Sequence, residues 1–117
     1  MKYQATITKI GEMALDFLSE DMLILFNENA PTELAEISVL HSISTLKEDV
    51  VLGDTMKICD ETYIVTAVGI EALHTLKIMG HCCLKFDGAT TPQLPGTIHL
   101  LGSKIPDIVI GKNITIE

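Results

Sequence analysis

A chain of 117 residues, 47% hydrophobic and 21% charged, has the length of one ordinary domain and enough apolar side chain for a real core. Sixteen acidic residues against eight basic give a formal net charge of −8, which repels nucleic acid and anionic membrane. The absence of Trp and the presence of only two Tyr and three Phe also leave little with which to stack bases.

The dominant hydrophobic period is two. It begins at Met1–Thr8, where polar and apolar residues alternate; this reads as a strand and not as a signal peptide. Strands are predicted at about residues 3–10, 21–27, 37–44, 55–59, 62–69, 81–86, 96–102 and 113–117. The longest apolar run, Met22–Phe26, is far too short for a membrane span. Asp60-Glu61 is placed in a tight hairpin connection, and Gly53-Asp54, Asp87-Gly88, Pro95-Gly96, Gly102-Ser103 and Gly111-Lys112-Asn113 mark further turns. Three short segments read as helical: Glu12–Leu18, Pro31–Glu36 and Glu71–Met79, the last stopped by Gly80. Many short strands with turns every 8–12 residues suggest one all-β domain over residues 1–117, a small barrel or sandwich of about eight strands with minor helices.

Familiar site signatures are missing: there is no GxGxxG, P-loop, GxSxG, HExxH or CxxC. The three cysteines form no disulfide framework and read as reduced thiols in a cytoplasmic protein. Cys82 and Cys83 point to opposite faces of a strand and read as small core residues. A metal set of His81, Cys83 and His99 lacks zinc-site spacing and a fourth ligand, so no metal or cofactor is expected. His74, in a helical segment, reads as exposed. His41 stands out, because alternation puts it on one face with Val39 and Ile43. Such a histidine is either a satisfied core residue or a functional imidazole in an apolar patch. In the second case, a neutral ring nitrogen can accept a phosphoryl group without a base to deprotonate it.

Several blocks then appear in a familiar order. Tyr3–Gly11, Met22–Phe26 and Ala30-Pro31 are followed by Leu40-His41, Leu46-Lys47 and Val65–Gly69. Gly80-His81, Leu84–Gly88 and Pro95–His99 complete the series. Together they resemble the glucitol/sorbitol-specific IIA component of the bacterial sugar phosphotransferase system across nearly the whole chain. The resemblance implies a small β-barrel and a phosphocarrier. Such a protein takes a phosphoryl group from the general carrier HPr and passes it to the sugar-specific IIB unit of the IIB/IIC membrane components. His41 stands at the family's phosphorylated position. Where a family member has a second histidine two residues on, this chain has Ile43, so no role of that second histidine carries over.

Phosphorylating His41 would add about −1.5 to −2 to an already acidic protein. His99, His81 and Lys47 are therefore candidates to stabilise the phosphoryl group, in that order. Val39, Leu40 and Ile43 are candidates for a partner-docking patch. His41 itself is expected to be partly exposed, close to His99 or His81. A backbone carbonyl or the Ser42 or Ser44 hydroxyl could orient its second ring nitrogen. The apolar content permits a homodimer without requiring one. The rival reading is a non-catalytic β-barrel that binds a small sugar or a protein partner.

Overall fold

The computed structural model describes all residues, 1–117. The chain forms strands β1 (Tyr3–Ile10), β2 (Met22–Asn27), β3 (Val39–His41), β4 (Thr55–Ile58), β5 (Glu61–Val68), β6 (Cys82–Lys85), β7 (Thr97–Leu101) and β8 (Asn113–Ile116). Two α-helices, α1 (Thr32–Ala35) and α2 (Ile70–Met79), and a 3-10 helix at Ala14–Glu20 lie between them. The strands close into a barrel in the order β1-β3-β2-β6-β7-β5-β4-β8, with β8 returning to β1. The pairs β2/β3 and β6/β7 are parallel, and the other six pairs are antiparallel.

The period-two pattern has a direct physical outcome. Tyr3, Ala5 and Ile7 on β1, Leu23 and Leu25 on β2, and Met56 and Ile58 on β4 turn inward. They meet Tyr63, Val65, Leu84, Ile98, Leu100, Ile114 and Ile116 in one core. Helix α2 adds Ala72 and Leu76 to that core and packs against β2, β6 and β7. Its C-cap, Gly80, has φ 61°, a left-handed conformation that glycine adopts without strain.

Three local readings differ from the structure. The strand expected over residues 37–44 is only Val39–His41. Beyond it the Ser42 N–H still donates to the Thr6 carbonyl, but the Thr6 N–H turns to the Ser42 hydroxyl, so a side chain takes one of the two ladder bonds. The 12–18 segment is a 3-10 helix displaced to Ala14–Glu20, with only Ala14 buried; it has no apolar face wide enough for a packed α-helix. The β4–β5 turn is Cys59-Asp60 rather than Asp60-Glu61, with Cys59 at φ 53° and Glu61 already paired to Ile58. Cys82 is buried while Cys83 is half-buried, and all three cysteines are free thiols.

Two buried tyrosines make the barrel sensitive to alkali. Burial and, secondarily, nearby Cys82 push the Tyr3 phenol up from 10.0 to about 12. Burial, followed by the charges of Glu61 and Cys59, pushes Tyr63 up to about 12 as well. The folded chain therefore holds these protons more tightly than the unfolded chain does. The contribution of these two phenols is full below about pH 10 and should be lost as pH rises from there towards 12. Urea melts run from neutral to strongly alkaline pH check this. Tyr3→Phe should flatten the decline without loss at neutral pH, because the Tyr3 hydroxyl has no partner. Tyr63→Phe should cost about 1 kcal/mol, since its hydroxyl donates to the Lys104 carbonyl at 2.6 Å.

Candidate functional site

His41 ends β3 beside Ile7 of β1 and Asn27 of β2. Partners directly across a ladder share a face, and Ile7 belongs to the core, so the imidazole points into the barrel end. It is 0% exposed, where partial exposure was expected. The reason is the end of α2: the left-handed turn at Gly80 folds the chain over the ring. Val39 and Leu40 are buried too and offer no docking surface. Ile43, beyond the strand, is 61% exposed and no longer shares their inward face.

Both ring nitrogens of His41 meet backbone oxygen. Nδ1 lies 2.9 Å from the Ser42 carbonyl and Nε2 2.8 Å from the Gly80 carbonyl. The edge of Tyr3 approaches the ring, with centroids 6.1 Å apart and planes at 87°. Carbonyls only accept hydrogen bonds, and a neutral imidazole carries one N–H. Both contacts are hydrogen bonds only when the ring is an imidazolium. In the neutral ring one contact sets lone pair against lone pair. The serine hydroxyls are engaged elsewhere, since Ser42 Oγ accepts from Thr6 N–H and Ser44 Oγ donates to the Gln4 carbonyl. Of the candidates for orienting Nδ1, it is therefore the backbone carbonyl that faces it.

His81 directly follows Gly80 and so stands next to this arrangement. It is half-buried, and its ring stacks on Phe26 at 4.7 Å. Its Nδ1–H donates to the Leu25 carbonyl at 2.9 Å, which leaves Nε2 as the lone-pair nitrogen of the neutral ring.

His99, the first choice from sequence, lies elsewhere. It is on β7, separated from β3 by β2 and β6, and pairs with Lys85, five residues along the chain from Gly80. With strands roughly 5 Å apart and a rise of roughly 3.3 Å per residue, it is far outside hydrogen-bond reach of His41. It is buried, and its Nδ1–H donates to Asp87 Oδ1 at 2.8 Å. Burial raises the Asp87 pKa, but the Ala89 N–H and the His99 ring outweigh it and hold the carboxyl below its ordinary range. Lys47 is exposed on the rim of a cleft of about 430 Å³ that it shares with Tyr3, Ile43 and Ser44. His74 is exposed on α2, and His81, Cys83 and His99 do not come together as a metal set.

Two residues beside His41 escaped the sequence reading. Gly80 was legible as a helix stop, but its carbonyl's target was not. Asn27 carried an overlooked signal: it continues the inward series Leu23, Leu25, Asn27 with a polar side chain.

Relatives place this geometry in a family. The model of the PTS system glucitol/sorbitol-specific IIA component matches residues 2–115. The glucitol/sorbitol-specific EIIA component of Escherichia coli K12 is 41% identical over 115 residues, covering 98% of this chain and 94% of its own. The Shigella flexneri protein of the same name has the same identity and coverage. Among solved structures, the PTS system IIA component from Enterococcus faecalis V583 superposes with a TM-score of 0.82 at 34% identity. That match covers 96% of this chain and 97% of the other. With sequence and barrel matched from end to end, the chain belongs to the glucitol/sorbitol-specific IIA component family of the phosphotransferase system.

Proposed function

We propose that this chain is one phosphocarrier domain of a cytoplasmic relay. It accepts a phosphoryl group from phospho-HPr on His41 and passes it to the sugar-specific IIB unit for glucitol/sorbitol uptake. The observation that carries this reading is the Ser42 carbonyl at His41 Nδ1. In the tautomer protonated at Nδ1, that carbonyl holds the N–H and leaves the Nε2 lone pair for phosphorus.

In that tautomer the 2.8 Å approach of Nε2 to the Gly80 carbonyl is repulsive. Loss of the Nε2 proton thus favours withdrawal of the Gly80 carbonyl from the ring, which opens a path to the donor. The Nε2 lone pair forms the new N–P bond while the donor's N–P bond breaks and returns its pair to the donor nitrogen. The positive charge left on the His41 ring is shared by Nδ1–H, which donates to Ser42. One N–P bond replaces another, so the protein's work is positioning and charge stabilisation. His81, next to Gly80, supplies a ring nitrogen at the mouth of the opened site.

His41→Gln should take up no phosphoryl group from phospho-HPr in an intact-mass assay. Since His41 is buried, His41→Ala should also lose about 2 kcal/mol or more of stability by orphaning the carbonyl its N–H serves and leaving a cavity, which a urea melt reads. His81→Ala should keep uptake but slow it. The half-exposed, unpaired Nε2 of His81 favours a second reading, with His81 as the acceptor; uptake that survives His41→Gln and vanishes in His81→Ala would select it. The adduct should be labile in acid and stable in base, as a phosphoramidate is. An acid-stable adduct would redirect the assignment to a hydroxyl.

A further inference from the structure

Asn27 poses a problem of its own. The residue is only 7% exposed, and Oδ1 is buried without a hydrogen-bond partner. A buried, unpaired amide oxygen is costly, and in a native fold it calls for a reason. Asn27 stands directly opposite His41 in the parallel β2/β3 ladder, so both side chains leave the sheet on one face. They also crowd a single point: a methyl group on Gly80 would overlap Asn27 Oδ1 and stand 2.7 Å from His41 Cε1. The Gly80 backbone is thus the wedge between the carboxamide and the imidazole.

We propose that Asn27 is a catalytic residue of the phosphocarrier, its carboxamide donating a hydrogen bond to the phosphoryl group carried on His41 Nε2. This rests on the reading of His41 as the acceptor. When the Gly80 carbonyl leaves Nε2, the space it vacates is bounded by Asn27, and phosphorus bonded to Nε2 enters that space. A neutral amide suits the task. Its N–H groups donate to phosphoryl oxygens, and rotation of the amide presents them with no change of charge. A carboxylate in the same shape would repel the incoming group in a chain already at −8. The unpaired oxygen of the resting form is then the cost of holding a donor ready for a group that is absent until transfer.

The experiment follows phosphoryl uptake from phospho-HPr by intact mass over time, alongside thermal melts, for the full chain and for Asn27→Leu, Asn27→Asp and His41→Gln. Asn27→Leu should melt no lower than wild type, because it removes an orphaned oxygen, yet transfer about 100-fold more slowly. Asn27→Asp should transfer more slowly still. Asn27→Leu transferring within about twofold of wild type would overturn the inference, while a silent His41→Gln in the same series would leave the His41 reading standing. Loss of both stability and rate in Asn27→Leu, with both restored in the isosteric Asn27→Asp, would make Asn27 a structural residue and also overturn it. A wild-type chain that takes up no phosphoryl group sinks the reading and the inference together.

Discussion

The end of α2 at Gly80 governs the architecture of the site. Only a residue without Cβ can turn left-handed there, because any side chain would meet Asn27 and His41. That turn redirects the chain from the helix into β6, which joins β2 on one side and β7 on the other. The same turn lays a carbonyl on His41 Nε2 and closes the barrel end over it. Helix stop, strand start and cover of the imidazole are one piece of backbone. A disturbance of one is felt by the others, because interiors this closely packed transmit displacement instead of absorbing it.

The strands were legible in the sequence because each inward residue needs an outward neighbour, and Tyr3-Ala5-Ile7 or Tyr63-Val65-Ala67 shows that need directly. The burial of His41 was not. Alternation tells which face a residue occupies; it does not tell what the far end of a distant helix will do to that face. Gly80 is 39 residues from His41, and only the closed strand order brings them together. Val39 and Leu40 illustrate the same limit. Both faces of so short a strand are covered here, so inward-outward reasoning cannot find an exposed side. The closure into a barrel, by contrast, was stated by family resemblance and left open between barrel and sandwich by pattern alone.

His99 shows how sequence blocks can be important without being part of the reacting cluster. Phe86-Asp87-Gly88 and the block ending in His99 find each other: the imidazole donates to Asp87, which also accepts the Ala89 N–H. The weaker approach of Gln93 N–H to His99 Nε2 adds a second tie. Between them these contacts pin the long connection from β6 to β7. A parallel pair cannot be joined by a tight turn, so that connection must travel, and a buried histidine hydrogen-bonded to Asp87 is what tethers it.

Closure by β1 and β8 also bears on how the chain is made. Tyr3 pairs with Ile116, and β1 must hold β8 on one edge and β3 on the other. Pairings between the two extremes of the sequence carry the largest loop-closure cost and form late, which makes for slow folding. During synthesis on the ribosome, β1 and β4 keep open edges until β8 emerges, and such edges invite pairing with other chains. The nascent protein is therefore most exposed to misassembly just before β8 arrives, and Asn113–Ile116 convert an adhesive open sheet into a ring with no free edge.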